Sequence, residues 1–501
     1  MNNFSAKYEI NIIITQISRQ YMQKTSGNIK NSSWNLANIL LYPIAFLALT
    51  PFFINKLGEV DFGIWMLVNS YVYIAVNIIS FGLGNSITAY VAEALGKGSN
   101  AKLQAYVNSS TKLIGWISMV TILMAILWGL LNLSGAEIFK DHLDKILIVA
   151  TWVISVKFWE LLYQSVLKGY ERYDLASWWS IVSKLLVLGA QVVIVLWGYD
   201  LYELFISNLI LNAIMVYVQA VVTYRLIPQY RFSWQIKRDE RKELFHFGFW
   251  TWLQTIISVV AYQADRFIIA IFLGPAIAGY FILASTITNH MHMAFGAVVS
   301  WLFPKVARKK ESGENIVIYF QTLRGFSVGI SLLAIFVAYL FYEPLFTLWL
   351  GSEKFQKMGD YFRLFLIYEA FLVMTIVPLF YLNGLKLLKF ITSLEFMYKI
   401  GILVGMVVSF WIFRTAQSLI IGQIVALSIL IPIEYLLINQ RLLKDHWMLE
   451  TIVTMLPSFL ISSIIIFDQI AITFGLGLIT LFVYYLYYLS KKRFKIKLLL
   501  E

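Results

Sequence analysis

The chain consists of about 14 long, mostly apolar segments that are separated by short polar connections. A helix that crosses a bilayer needs roughly 20 such residues, so the pattern predicts an all-α polytopic membrane protein. The predicted segments are Asn35–Phe53, Trp65–Ile87, Leu113–Leu133, Ile146–Leu167, Trp178–Trp197, Leu204–Tyr224, Gly248–Leu273, Gly279–Phe303, Phe326–Tyr342, Phe362–Leu382, Phe396–Phe413, Leu419–Asn439, Thr451–Phe467 and Ile470–Leu489. Only Asp468-Gln469 connects the last two segments. They can therefore be two full spans or a re-entrant pair that enters and leaves the membrane on the same side.

One short motif closes an apolar segment in each half of the chain. Leu57–Gly63 recurs as Leu273–Gly279, and Lys184 recurs as Lys399 at nearly the same offset. Such recurrence is typical of transporters built from internal repeats. We therefore expect two six-helix lobes followed by a C-terminal helix pair. The predicted limits are a cytoplasmic segment 1–33, an N-lobe 34–224, a cytoplasmic linker 225–246, a C-lobe 247–440, helices 13 and 14 within 441–490, and a basic cytoplasmic tail 491–501.

Composition and charge place this helical chain in a membrane. Of 501 residues, 59% are hydrophobic and only 14% are charged, and a soluble protein is excluded. With the N-terminus inside, most of the 40 Lys and Arg residues fall in cytoplasmic connections, which predicts that both termini are cytoplasmic. The net charge of +12 lies beside the membrane segments, where it meets anionic lipid. Membrane lipids are therefore expected partners, and nucleic acid is not.

Cofactor and metal chemistry are not expected. The chain has no cysteine, so it has neither disulfides nor thiol-bound metal. His290 and His292 point to different sides of one helix and cannot share a metal there. Gly58 and Gly63 have the spacing of a phosphate-binding loop, but the Lys-Ser/Thr pair that should follow is missing. Transport by this chain would therefore draw on an ion gradient or on a partner protein, and H⁺ and Na⁺ are the candidate coupling ions.

Polar side chains recur at helical spacing on several of the apolar segments. A polar face of a spanning helix is costly against lipid, so it contacts protein or water. Hydrogen bonding between helices and a hydrated lumen are both open for any single segment. The positions that we assign to a polar lumen are Asn38, Asn77, Gln254, Asn289 and His292.

Four basic residues inside the predicted spans are candidates for binding an anionic substrate, above all a phosphate or diphosphate. Lys157 has Glu160 three residues later, so a purely structural ion pair is an alternative there. Lys399 has Glu395 one turn earlier, whereas Lys184 has no acid within one turn. The four candidates are Lys157, Lys184, Arg266 and Lys399.

Acidic residues inside the spans are candidates for ion coupling. Asp265 lies near mid-membrane beside Arg266, so its affinity for a proton or cation would change if that distance changed. A permanent ion pair of Asp265 with Arg266, or with a cation of another helix, is the alternative. The further candidates are Glu160, Glu369 and Glu434.

Spaced glycines and aromatic residues form several motifs, strongest over Trp34–Asn100 and Phe247–Gly313. They are Leu57-Gly58…Gly63…Trp65, Phe81-Gly82-Leu83-Gly84-Asn85…Tyr90…Glu93…Gly96-Lys97-Gly98, Gly169-Tyr170-Glu171-Arg172-Tyr173, and Asp265-Arg266…Leu273-Gly274…Gly279-Tyr280 through Phe303-Pro304. Together they resemble the polysaccharide-transporter (O-antigen flippase) family of the multidrug/oligosaccharidyl-lipid/polysaccharide exporter superfamily. The resemblance implies a two-lobed, alternating-access flippase for undecaprenyl-diphosphate-linked oligosaccharides, with a cationic lumen and ion coupling.

We therefore expect a monomeric flippase in the bacterial cytoplasmic membrane that serves O-antigen, capsule or exopolysaccharide synthesis, alone or beside other polysaccharide-assembly membrane proteins. A lipid II flippase of the same superfamily is the first alternative. A multidrug exporter is the second, and a cationic lumen argues against it because cationic drugs would be repelled. A membrane-embedded sugar polymerase or ligase would want a large exterior loop, and the longest predicted one, around Glu343–Asp360, is short. An enzyme is therefore not expected.

Overall fold

The structure is a computed structural model that describes residues 28–133, 143–227, 238–299, 306, 316–385, 387–442 and 447–467. These residues form helices joined by short turns. The helices are α1 (Asn28–Leu57), α2 (Glu59–Ile79), α3 (Leu83–Gly96), α4 (Asn100–Leu133), α5 (Leu143–Gly169), α6 (Tyr173–Leu196), α7 (Leu201–Leu226), α8 (Arg238–Leu273), α9 (Pro275–Val299), α10 (Ile316–Leu350), α11 (Ser352–Leu372), α12 (Ile376–Gly384), α13 (Leu388–Phe413), α14 (Ala416–Leu442) and α15 (Trp447–Phe467). A single 3₁₀ turn, Val373–Thr375, joins α11 to α12.

Except for Trp65–Ile87, the predicted apolar segments fall on helices wherever the structure describes them. Within the described residues, ten helical stretches are long and apolar enough to cross a membrane by length and composition. Shorter apolar stretches lie within α1 and α15, at Leu41–Leu57 and Thr454–Ile466. The predicted all-α membrane fold is confirmed. The last predicted segment, Ile470–Leu489, lies outside the described residues, together with the predicted N-terminal segment up to residue 27 and the basic tail.

One predicted segment extends past the end of its helix. Trp65–Ile87 is interrupted, because α2 ends at Ile79 and α3 begins at Leu83. Between them Phe81 has φ 48° and Gly82 has φ 68°, and this left-handed backbone stops the first helix. Apolar composition does not reveal the break, since Phe81 is as apolar as the helix that it ends.

The chain divides into two compact units. The N-terminal unit contains residues 1–56 and 68–256, and the C-terminal unit contains residues 57–67 and 257–501. The end of α1 and the first part of α2 therefore belong with the C-terminal unit. The lobe limits expected from the sequence remain a prediction.

In the N-terminal unit, α5 is held in place by close packing against α3. Leu83, Ile87 and Val91 of α3 are buried in one core with Phe158 and Leu162 of α5. A side chain on Gly169 would not fit, because its Cβ would lie 2.6 Å from Val91 Cγ1. The hydroxyl of Thr88 donates to the carbonyl oxygen of Ser165 at 3.2 Å across the same contact. These contacts place the polar face of α5.

In the C-terminal unit, α13 and α14 cross with their backbones in contact. A Cβ on Gly405 would lie 2.3 Å from the carbonyl oxygen of Gly422, and one on Gly422 would lie 2.1 Å from that of Gly405. Close approach at small residues is the usual way in which helices pack inside membranes, since lipid gives no hydrophobic drive. Gln423 and Lys399, two polar residues of the C-terminal unit, therefore lie on a pair of helices, α14 and α13, that contact each other directly.

Candidate functional site

The N-terminal unit contains a group of ionisable side chains that we name the lysine cluster: Lys157, Glu160 and Lys168 of α5, and Lys184 of α6. The three α5 residues are spaced by three and eight positions, so they share one face of the helix. The N–H group of Gln164 donates to Glu160 Oε1 at 3.4 Å on the same face. The cluster therefore runs from the middle of α5 to its last turn.

Lys157 is bound by two neighbours. Its ammonium group donates to Glu160 Oε2 at 2.7 Å and to Asn212 Oδ1, on α7, also at 2.7 Å. The ion pair with Glu160 is the one that the spacing predicts. The contact with Asn212 lies 55 positions away in the sequence and was not predicted.

The surroundings of Asn212 fix its orientation. Its Nδ2 group donates to the carbonyl oxygen of Asn208 at 2.7 Å and to the side-chain oxygen of the same residue. Its Oδ1 is thereby turned toward Lys157, and it also accepts from the hydroxyl of Ser183 at 3.5 Å. Asn212 is 2% exposed, so this orientation is protected from water.

The two other lysines of the cluster have fewer contacts. The ammonium nitrogen of Lys184 lies 5.8 Å from the ring centroid of Tyr42, a cation–π contact. Electrostatic attraction from Glu160 reaches both Lys184 and Lys168. Among the described residues, neither lysine makes a hydrogen bond or an ion pair. Their donor groups are therefore free to bind an anion.

Three lysines around one glutamate leave the lysine cluster with a net positive charge. Lys168 was not among the predicted substrate-binding residues, although its spacing put it on the face of Lys157 and Glu160. Its position at the end of α5 made it look like an ordinary residue of the membrane surface. The electrostatic contact with Glu160 is what makes it part of the cluster.

In the C-terminal unit, Asp265 of α8 is 4% exposed and is held by hydrogen bonds. Gln423 Nε2 donates to its Oδ2 at 3.3 Å, and the backbone N–H of Arg266 donates to its Oδ1 at 2.8 Å. The guanidinium of Arg266 reaches Ser285 Oγ at 3.5 Å. Within the described part of the chain, Asp265 forms no ion pair, although the charge of Arg266 acts on it. The alternative of a permanent ion pair is therefore not seen among these residues.

Two further coupling candidates have different surroundings. Glu369 of α11 has its Oε1 2.8 Å from His292 Nδ1 of α9, so a predicted acid and a predicted polar-lumen residue are partners. Glu434 of α14 is 1% exposed, and neither of its carboxyl oxygens has a hydrogen-bond partner among the described residues. A buried charge without a partner is costly, so a proton or a cation would be stabilising at Glu434.

Lys399 of α13 is paired rather than free. Its ammonium group donates to Ser258 Oγ at 2.8 Å and to Glu395 Oε2 at 3.2 Å, as its spacing from Glu395 predicts. The acids Asp265, Glu369, Glu395 and Glu434 and the cations Arg266, Arg324 and Lys399 are ionisable residues on the helices of this unit.

A buried cation of the C-terminal unit, Arg324, was not predicted from the sequence. Its side chain is 0% exposed, between the rings of Phe320 and Tyr435, and its Nη1 donates to Asn439 Oδ1 at 3.0 Å. Asn439 Nδ2 donates in turn to Thr451 Oγ1 at 2.9 Å. The predicted segment began at Phe326, whereas α10 begins at Ile316, so Arg324 was placed in a connection.

The predicted polar-lumen residues do not form one set of contacts. Asn77 Nδ2 donates to the carbonyl oxygen of Tyr73 one turn earlier at 2.8 Å, and Asn289 is exposed. The side chains of Asn38 and Gln254 lie outside those that the structure describes. Within the same limits, no three His, Asp or Glu side chains come together as metal ligands.

Comparison with known proteins agrees with the fold and the motifs. A family model described as "Polysaccharide biosynthesis protein" matches residues 29–310. A putative O-antigen transporter of Shigella flexneri is 22% identical over 293 residues, which cover 57% of this chain and 68% of that protein. The uncharacterized membrane protein EpsK of Bacillus subtilis (strain 168) is 21% identical over 369 residues, which cover 70% of each chain.

Solved structures share the fold. The lipid II flippase MurJ in an inward closed conformation superposes with a TM-score of 0.65 at 12% identity, over 92% of this chain and 99% of that one. An inward-facing multidrug resistance MATE transporter of the MOP superfamily gives 0.61 at 14% identity, over 85% and 98%. These two proteins are named as a flippase and a transporter, in agreement with the expectation of a transporter and not an enzyme. Because the family model matches more than half of its residues, this multi-pass membrane protein belongs to the polysaccharide biosynthesis protein family, within the superfamily that its motifs indicate.

Proposed function

We propose that the protein is a flippase that moves an undecaprenyl-diphosphate-linked oligosaccharide across the bacterial cytoplasmic membrane, with both of its termini in the cytoplasm. The lysine cluster supports this proposal most directly. Two of its lysines, Lys168 and Lys184, have donors that no described residue occupies. Charge-assisted hydrogen bonds to phosphate oxygens are among the strongest that side chains make, and a diphosphate offers several such oxygens.

Buried acids in the C-terminal unit support ion coupling. The lysine cluster of the N-terminal unit is net positive and suits the anionic headgroup. The spans of the C-terminal unit hold Asp265 and Glu434, buried acids without an ion pair among the described residues. Such acids suit a proton or Na⁺. We propose that the substrate binds at the lysine cluster and that the coupling ion binds at one of these acids during alternating access.

The family and the named relative support polysaccharide as the cargo. The Shigella flexneri protein is named as a putative O-antigen transporter, so O-antigen, capsule or exopolysaccharide synthesis is the proposed role. A lipid II flippase remains the second candidate because lipid II carries the same diphosphate, which the lysine cluster would bind equally. A multidrug exporter is disfavoured, since three lysines repel cationic drugs.

The test is to substitute Lys184 in the native host. The readouts are the amount of surface polysaccharide and the amount of lipid-linked oligosaccharide that accumulates. Lys184→Ala should abolish export at normal protein level, while Lys184→Arg should keep part of it because the positive charge remains. Lys97→Ala is the control: Lys97 is an exposed lysine of the same unit that pairs with Glu93. Full export by Lys184→Ala would refute the phosphate role. Accumulation of lipid II instead of a polysaccharide precursor would favour the second candidate.

A further inference from the structure

Glu160 accepts from Lys157 in the lysine cluster, as a phosphate oxygen could. Its carboxylate accepts from Lys157 at 2.7 Å and attracts Lys168 and Lys184. A lysine ammonium has three donors, and Glu160 and Asn212 occupy two of those of Lys157. Lys157 is thus already neutralised from within the protein.

A diphosphate that enters the cluster therefore meets two different conditions. No described residue accepts a hydrogen bond from Lys168 or Lys184, so both can bind the diphosphate without losing an existing contact. Lys157 has one donor left, but Glu160 neutralises its charge, so it can attract the phosphate as a full cation only if the contact with Glu160 is given up. The carboxylate also repels the incoming phosphate. Glu160 thus lowers the affinity of the cluster for an anion, and it does so through Lys157.

We propose that Glu160 is an internal counter-ion that holds Lys157 while the headgroup is absent and retakes it when the headgroup leaves. The inference rests on the proposed function, because it names how the headgroup site releases its ligand. Three unneutralised lysines would hold a diphosphate too tightly for turnover, since a transported species must bind strongly enough to enter and weakly enough to leave. The exchange of one anion for another also keeps Lys157 partnered throughout, and an unpaired charge inside a span is costly.

A purely structural pair predicts the opposite effect. If Glu160 only holds α5 in place, removing its charge releases Lys157, disorders the cluster and weakens anion binding. If Glu160 competes with the headgroup, removing its charge strengthens anion binding and slows release. The sign of the change in affinity therefore separates the two.

The experiment uses the purified full-length protein in detergent micelles, titrated with farnesyl diphosphate by calorimetry. Glu160→Gln, which keeps the shape of the side chain, is expected to bind roughly tenfold tighter than the wild type, because the ligand no longer competes with a charge-assisted hydrogen bond. In the native host its rate of export should fall. Farnesol has no phosphate, so its binding should not differ between the two proteins.

Glu93→Gln is the matched control for loss of one negative charge. Glu93 pairs with Lys97 one turn later at the end of α3, in the same unit, and both side chains are exposed. The hydrogen bond from Lys97 holds the pKa of Glu93 below its usual range, so the substitution removes a full charge at neutral pH. Its affinity for farnesyl diphosphate should equal that of the wild type.

A second background tests the route through Lys157. With Lys157→Gln already present, Glu160→Gln should change the affinity less than about threefold, because there is no ammonium group left to release. Glu160→Asp keeps the charge on a shorter side chain, and its affinity should lie between those of the wild type and Glu160→Gln. If Glu160→Gln does not fold, the affinity of Glu160→Asp for farnesyl diphosphate is compared with that of the wild type instead.

Three results would overturn the inference. Folded Glu160→Gln could bind farnesyl diphosphate no tighter than the wild type, or the gain could persist undiminished without Lys157. In either case the wild type still binds the probe, and the proposed headgroup site stands. If neither wild type nor Glu160→Gln shows saturable binding, the proposed headgroup site fails together with its counter-ion.

Discussion

Gly63 of α2 and Gly279 of α9 lie backbone against backbone. A Cβ on Gly279 would be 3.0 Å from the Cα of Gly63, and one on Gly63 would be 1.9 Å from the carbonyl oxygen of Pro275. These two glycines end the motif that occurs once in each half of the sequence, so the two copies of the motif contact each other. Glu59 strengthens the contact, since it accepts from Lys357 Nζ at 2.6 Å and from the hydroxyl of Tyr280 at 3.0 Å.

Gly63→Ala should destabilise the protein by about 1–3 kcal/mol, because the added methyl group overlaps a backbone carbonyl that cannot turn aside. The measurement is the thermal unfolding temperature of the purified protein in detergent. Gly296→Ala on α9 is the control: a Cβ there meets no atom within 4 Å, so alanine should be neutral or slightly stabilising. An unchanged unfolding temperature for Gly63→Ala would show that the helices separate easily at this point.

Asn439→Leu should also destabilise the C-terminal unit, by about 1–3 kcal/mol. Leucine removes the acceptor of Arg324 Nη1 at 3.0 Å and the donor to Thr451 Oγ1 at 2.9 Å, at a position that is 0% exposed. The same unfolding measurement applies. Ser428→Ala on the same helix is the control, since that hydroxyl donates only to its own helix, at Val425, among the described residues. Equal stability of both variants would mean that Arg324 contributes nothing through Asn439.

Asp265→Asn should uncouple transport from the ion gradient. The amide keeps the shape of the side chain and can still accept a hydrogen bond from Gln423. It has no negative charge, so it cannot bind a proton or Na⁺ as a carboxylate does. We expect a folded, membrane-inserted protein that binds farnesyl diphosphate and has lost gradient-driven transport in proteoliposomes. Asp360→Asn is the control, because that carboxylate is in the same unit and is 65% exposed.

Gradient-driven transport at the wild-type rate in Asp265→Asn would remove Asp265 from the coupling step. Glu434→Gln would then be the next variant, since the carboxyl of Glu434 is buried without a hydrogen-bond partner among the described residues. Glu369→Gln is less informative, as it also removes the partner of His292.

Single cysteines should label from opposite sides of the membrane. The chain has no cysteine of its own, so no background has to be removed. Lys97→Cys should react with an impermeant maleimide only from the cytoplasmic side, and Glu353→Cys only from outside. Both positions are accessible, with side chains 58% and 85% exposed. Labelling of Lys97→Cys in intact cells would reverse the predicted orientation.

The sequence alone determined the helical membrane fold and several local contacts. Long apolar segments can span a bilayer only as helices, because every backbone polar group must be satisfied within the segment. Contacts between residues one turn apart follow from the period of the helix. The ion pairs Lys157–Glu160 and Lys399–Glu395, which this period allowed as alternatives to substrate binding, are present. The repeated Leu-Gly motif was also visible, but not that its two copies touch.

Only the tertiary structure decided which helices meet. Lys157 with Asn212, Glu369 with His292 and Arg324 with Asn439 join positions that lie 55, 77 and 115 residues apart. Periodicity defines the face of a helix on which a side chain lies, but not the neighbour that this face contacts. That choice depends on close packing between distant segments, as at Gly63 and Gly279, where the absence of a side chain allows the two backbones to touch.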